Sequence, residues 1–330
     1  MGDLSHAPMP VEIGLTAAIV ATRDDMPFIL VARGRSPEGL AALPAGPFDP
    51  LAHRTFEIGL RTWVAEQTGM RLGYVEQLYT FGDRGRHARL GDRDPHVVSV
   101  GYLALTRMTQ GAEAALQSAA EAGFRPWYDF FPWEDARAGV PAVLNSAILP
   151  RLGEWAASQP KGVARDPQRR ERLRFLFGLD GAHFDEEKVL DRYELMYEAG
   201  LVEEARRDGR EAARAWIDIP PLGEAMRFDH RRILATAMGR LRAKLKYRPV
   251  IFELMPESFT LTELQRTVEA ISGRHLHKQN FRRLAEMSAV VEPTGEVTPH
   301  TGGRPAALFR FRHEVLRERP APGLRVGARG

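Results

Sequence analysis

The chain has 330 residues, room for two or three domains, and its 44% hydrophobic and 27% charged residues are the balance of an ordinary globular protein. It has no cysteine, which excludes disulfides and thiolate zinc sites. No apolar run is long enough to span a bilayer, and MGDLSHAPMP lacks the apolar core of a signal peptide, so the cytoplasm is the expected compartment. The formal net charge of +3 is unevenly placed. Residues 229–312 hold 15 Lys/Arg against 8 Asp/Glu and the tail 313–330 holds 4 against 2, which leaves the first 228 residues at −6. A basic C-terminal unit beside an acidic body is the electrostatic footprint of a nucleic-acid module.

In chain order, residues 11–21 and 28–33 read as two strands joined across Asp24-Asp25. The breaker-rich Leu43-Pro-Ala-Gly46-Pro-Phe-Asp-Pro50 leads to a helix over 53–68 that stops at Gly69. Strands are expected at 74–81 and 97–106, with a charged loop between them, then a helix at 112–122. The aromatic cluster 124–133 and a helix at 142–157 follow. Irregular alternation of strands and helices suits a mixed sheet with helices on both faces. The polar, proline-bearing 158–169 marks a boundary, and the segment to 217 reads as wholly helical. Phe184, Val189, Tyr193, Met196 and Tyr197 are assigned to one helix face, and 203–216 to another helix. A helix at 229–247 carries Ile233, Ala237, Leu241 and Leu245 at steps of four, a stripe that fits either core packing or a dimer seam.

Residues 252–311 have the outline of a winged helix-turn-helix, which lays one helix in a DNA major groove. Thr260-Leu-Thr-Glu263 fits a capping box. Leu261, Leu264, Val268 and Ile271 form the apolar face behind it, and Gly273 sits where the helix stops. A second helix over 277–288 turns Phe281, Leu284 and Met287 inward. This leaves Lys278, Gln279, Asn280, Arg282 and Arg283 outward, where such side chains bond base edges or phosphates. His277 is read as a cap or phosphate contact rather than a metal ligand, and Thr262 joins the interface at the start of the first helix. Two strands, at 290–291 and 307–311, enclose Thr301-Gly-Gly-Arg304-Pro, whose Thr301 and Arg304 are placed at the wing tip for a minor groove or phosphate.

Several stretches together resemble one family. Leu43-Pro-Ala-Gly46 with a helix ending Glu66-Gln-Thr-Gly-Met70 is similar to a Nudix box, G-x5-E-x7-R-E-U-x-E-E-x-G-U. Residues 77–83, Asp94-Pro and the strand 97–105 are similar to Nudix domains that handle ADP-ribose. Phe228-Asp-His230-Arg-Arg-Ile-Leu, residues 259–265, Asn280-Phe-Arg-Arg and Gly303-Arg-Pro resemble the C-terminal winged helix of Nudix-related transcriptional regulators of NAD metabolism, the NrtR and NadQ types. The match covers most of 11–150 and 225–313; the helical block 160–220 is not part of the basic pattern. The resemblance implies an α+β protein: a Nudix-like α/β/α sandwich (1–158), a helical insertion (159–224), a winged helix-turn-helix (225–313) and a disordered basic tail (314–330).

The box departs from its pattern. With Gly69 as anchor, the R-E-U-x-E-E positions hold Thr62, Trp63, Val64, Ala65, Glu66 and Gln67, so Glu66 alone keeps a ligand position. The spacing from Gly46 is two residues too long, and Glu57 is off register. A hydrolase of this class gathers several carboxylates around Mg²⁺. No catalytic or metal-binding residue and no cofactor are therefore expected. The pocket is expected to sense an adenine nucleotide such as NAD, ADP-ribose or ATP. Arg33, Arg35, Arg84, Arg86 and Arg93 are placed near its diphosphate, Phe81, Trp127 and Trp133 near its base, and Glu66 as the retained acid. The reading is a dimeric repressor of NAD-biosynthesis genes. An active Nudix pyrophosphatase acting on ADP-ribose or a related nucleoside diphosphate, and a non-specific nucleic-acid binder, stand as alternatives.

Overall fold

The computed structural model describes residues 10–32, 39–83, 96–108, 122–158, 167–298 and 305–318. Arg33, Arg35, Arg84, Arg86, Arg93, Thr301, Arg304, most of the expected helix 112–122 and the tail beyond 318 lie outside the described residues.

Strand β1 (Val11–Arg23) and β2 (Met26–Ala32) form the expected hairpin, pairing antiparallel from Val20↔Ile29 to Arg23↔Met26. Asp24 and Asp25 both have positive φ, 48° and 60°. This is the turn geometry whose twist matches a two-residue hairpin, and Asp tolerates it through local hydrogen bonding. β3 (Ala45–Pro47) pairs with the other end of the same β1 edge, at Gly14 to Thr16. β5 (His96–Leu105) runs parallel to β1 along its far edge and antiparallel to β4 (Val75–Phe81). β6 (Ala122–Pro126) adds to β2, giving the order β4-β5-β1-β2-β6 with β3 beside β1. Because β2 and β3 share one edge of β1, the sheet is forked there.

Helix α1 (Phe56–Thr68) covers one face. Thr55 caps it by accepting from Ile58 N–H, and Gly69 ends it in the left-handed conformation. Its Leu60 and Val64 pack with Leu15, Ile19, Val100 and Tyr102. The opposite face is covered by a long helix, His230–Tyr247, whose Ile233, Ala237, Leu241 and Leu245 are all buried. The stripe at steps of four is core packing.

Between them the chain builds a helical block: α2 (Leu149–Ala157), α3 (Pro167–Phe177), α4 (Val189–Glu198) and α5 (Glu203–Arg207), after which the long helix above is α6. The expected helix 203–216 is broken: Gly209 adopts φ 70° and a 3-10 turn, Glu211–Ala215, follows. Phe184 precedes α4 rather than lying on its face, and its ring takes the Arg192 guanidinium at 4.4 Å. No helix among the described residues is long and apolar enough to cross a membrane.

The C-terminal unit has α7 (Leu261–Ser272), α8 (Lys278–Ser288) and the hairpin of β7 (Val291–Val297) and β8 (Ala307–Phe311). A short helix, α9 (Val315–Glu318), follows. The capping box is present in full: Thr260 accepts from Glu263 N–H, and the Glu263 carboxylate accepts from Thr260 N–H. Phe259 pairs with Phe309 through both backbone bonds, and Phe252 stacks on Phe311 at 4.4 Å, closing the root of the hairpin.

A buried Arg–Glu–Arg group joins these parts. Glu134 receives Arg192 on both oxygens, at 2.6 and 2.8 Å, and Arg242 at 2.6 Å. Arg242 also donates to Ile271 O at the end of α7 (3.0 Å) and to Glu186 O (3.0 Å). Burial alone would raise the Glu134 pKa; the two guanidiniums outweigh it and hold the carboxyl below its ordinary value. Tyr128 Oη donates to Ala270 O (2.7 Å), and Ala136 N–H to Gly273 O (2.8 Å). The back of α7 is thus bonded to the body of the molecule. Residues 225–250, grouped by sequence with the winged helix, include α6, which lies against β1, β4, β5 and α4 and also against α7 of the winged helix.

Candidate ligand cleft and nucleic-acid interface

The fork between β2 and β3 opens into a cleft of about 540 Å³. Thr16, Ser99, Glu66 and Gln67 line one part of it, and Arg227, Phe228 and His230 another. Two helix residues fix its floor. Gln67 bonds the backbone of Ala45 twice, donating to its O (2.7 Å) and accepting from its N–H (3.3 Å). Trp63 donates its indole N–H to Pro47 O (2.7 Å), and its ring lies so close to Gly46 that a Cβ there would overlap it. Positions 63 and 67, where the box pattern has carboxylates, are therefore occupied by groups that hold the loop. Glu66 is exposed at the cleft, and Glu57 is paired to Arg61 at 2.8 Å. Among the described residues, no three acidic or histidine side chains gather around a common point.

Three aromatic assignments fail. Trp127 is 0%, Trp133 2% and Phe81 5% exposed, so none has a free face for a base. Trp127 belongs to the main core, and the Phe81 ring is covered by the Arg232 guanidinium at 5.1 Å. A run of aromatics in sequence does not distinguish a core from a stacking platform, since both require apolar rings.

The wall that sequence reasoning missed comes from far along the chain. His230 is buried, and its Nδ1 accepts from Leu43 N–H (2.9 Å), tying the start of α6 to the Leu43-Pro-Ala-Gly46 loop. Phe228 is held at φ 48°, and Arg227 N–H donates to Ala41 O (2.9 Å). The signal was the Phe228-Asp-His230 motif, which was assigned wholly to the C-terminal unit.

The second surface is the outer face of α8. Lys278, Gln279, Asn280, Arg282 and Arg283 are all exposed, as is His277. None of the six side chains has a hydrogen-bond or ion-pair partner among the described residues. His277 at the N-cap makes no side-chain cap bond, and the first turn holds Lys278 and no acid. A cation at the positive end of a helix dipole is unfavourable without an anion nearby, and the uncapped N–H groups invite one. Thr262 is half-buried at the start of α7. Phe281 and Ala285 face inward, while Met287 is 76% exposed, contrary to expectation. Six residues past Phe281 is a rotation of about 240°, off the buried face. The turn before α8 is set by Glu269, which accepts from Leu276 N–H (2.8 Å) and from Gln265 (2.9 Å).

Residues 251–311 match the family described as the NrtR DNA-binding winged helix domain. That match takes in α7, α8 and the β7–β8 hairpin. Over 84 residues, 26% of this chain, it is 46% identical to the ADPR responsive transcriptional repressor NtrR of Acinetobacter baylyi; the match spans 33% of that relative's length. The fold agrees over nearly the whole chain with that of Shewanella oneidensis NrtR in complex with a 27mer DNA, at a TM-score of 0.55 and 19% identity, covering 92% of this chain and 95% of that one. A MutT/nudix family protein from Enterococcus faecalis aligns at a TM-score of 0.50 and 16% identity over 94% and 90%. The architecture is thus a Nudix-type mixed sheet with helices, bearing an NrtR-type winged helix at its C-terminal end.

Proposed function

We propose that this chain is a DNA-binding transcriptional repressor whose forked-sheet cleft senses an ADP-ribose-like nucleotide. The observation that carries the DNA-binding half is the outer face of α8, a row of exposed basic and amide side chains with no partner among the described residues. The effector half is supported by the cleft at the box position and by the ADPR responsiveness in the name of the 46% identical relative. The sensor is taken as 1–158, the helical insertion as 159–224 and the reader as 225–313, acting in the cytoplasm as a homodimer on operators of NAD-biosynthesis genes. Arg282 and Arg283 contact phosphates, and Gln279 and Asn280 read base edges. Arg33, Arg35, Arg84, Arg86 and Arg93 are assigned to the effector's diphosphate, and Thr301 and Arg304 to DNA.

The cleft does not hydrolyse its ligand in this reading, because Trp63 and Gln67 stand where a Mg²⁺-holding enzyme needs carboxylates. An effector regulates by binding one arrangement of the paired winged helices better than another. Gel shifts of the promoter region with ADP-ribose, NAD or ATP test this. Retarded DNA that ADP-ribose selectively releases is expected; Mg²⁺-dependent release of AMP from ADP-ribose by the purified chain would support the pyrophosphatase instead. Equal affinity for scrambled DNA would leave only non-specific binding.

A further inference from the structure

The segment 226–230 crosses from the helical block into α6 and is fastened on both sides. Met226 N–H donates to Glu204 (3.0 Å) and Arg227 N–H to Ala41 O (2.9 Å). Arg207 donates to Met226 O (2.8 Å) and Phe228 O (3.0 Å). These bonds hold Phe228 in a left-handed conformation that a bulky residue adopts only when its surroundings impose it, and such strain concentrates at ligand sites. The result is to turn both Arg227 and Phe228 to the cleft, the guanidinium 4.4 Å from the ring centre. Arg227 is half-buried and has no carboxylate partner among the described residues, whereas neighbouring Arg207, Arg231 and Arg232 are all ion-paired. It is the one Arg or Lys among the described residues lining the cleft, whose acids are Glu12 and Glu66. His230 is not a second cation while its Nδ1 accepts from Leu43 N–H. A half-buried guanidinium with no carboxylate partner among the described residues, held in place by its backbone, is suited to receive an oxyanion.

We propose that Arg227 binds the diphosphate of the effector, so that a nucleoside diphosphate of the ADP-ribose class is gripped by the segment leading into α6 as well as by the sheet. This rests on reading the cleft as the effector site. It would place the effector's charge three residues before the helix whose Arg242 is bonded to the end of α7, the first helix of the reader.

The test is calorimetric titration of ADP-ribose into the full chain and into Arg227→Gln and Arg227→Lys, with operator gel shifts on the same preparations. Arg227→Gln is expected to weaken ADP-ribose binding about 10- to 100-fold, and Arg227→Lys to recover part of it. Both variants should bind operator like wild type without effector, which shows that they fold, and require more ADP-ribose for release by the same factor. If Arg227→Gln binds ADP-ribose as tightly as wild type, the role of Arg227 is overturned while the cleft reading stands. If wild type itself takes up no ADP-ribose, the effector reading fails and the proposal fails with it.

Discussion

Arg231 and Arg242 on α6 are each nearly inaccessible to solvent and bonded through Nε and both Nη atoms to carbonyls, a tyrosine hydroxyl or a buried carboxylate. Arg282 and Arg283 on α8 are exposed and have no protein partner among the described residues. The two helices draw on the same residue type for opposite ends. On α6 the planar, permanently charged guanidinium ties separate segments together, and each donor needs an acceptor because an unpaired buried donor is costly. On α8 the donors are kept unsatisfied by protein, which is tolerable only where water or phosphate can take them. Charge counting along the chain therefore overstates the unpaired surface charge: the basic residues of α6 are largely internal fastenings.

The comparison is broken most severely at Glu134. Glu134→Ala leaves two buried guanidiniums without their anion and should destabilise the fold by about 3–5 kcal/mol, read from urea denaturation. Since the folded carboxyl titrates below its ordinary value, its contribution is complete above the unfolded-state pKa. It is lost as pH falls through the lowered folded value. Wild type should accordingly lose more stability on acidification than Glu134→Gln does; parallel acid profiles would show that the carboxylate is not ionised in the fold. On α8, Gln279→Ala or Asn280→Ala should relax preference at one base position by about 1–3 kcal/mol in competition with mutated operators. An unchanged ranking of operators removes that residue from base readout. Thr260→Ala, which deletes the cap of α7, should cost about 1 kcal/mol of stability. Smallest in stability are Arg282→Ala and Arg283→Ala, within about 0.5 kcal/mol of wild type in melting experiments. Each should nevertheless lower the slope of log affinity against log salt by about 0.9. A large loss of stability with no change of slope would put these residues with the α6 arginines.

The elements whose signals are local were legible before any coordinates. Thr260 with Glu263, Gly69, Gly273 and the Asp24-Asp25 turn each act within a few residues, and each is where the sequence placed it. The outward face of α8 was legible as well, because exposure follows from helical period once Phe281 is taken as buried. The cleft was only half legible. Its floor, Gly46 with the helix bearing Glu66, carries a spaced pattern, but Arg227, Phe228 and His230 reach it through tertiary packing. Phe81 and Trp127 were misplaced because the aromatic content of a segment says nothing of which neighbours bury it. Gly209 is a helix breaker by residue type, and its φ of 70° ends α5 inside the span expected as one helix.

Trp63 carries a consequence for what this molecule can become. Its ring rests against Gly46 and its nitrogen holds Pro47, so a glutamate in its place would forfeit the floor of the cleft while supplying a single acid. Gln67, stapled to Ala45, is committed in the same way. Carboxylates at positions 63 and 67 would therefore be gained only by giving up the contacts that hold the loop beneath the cleft.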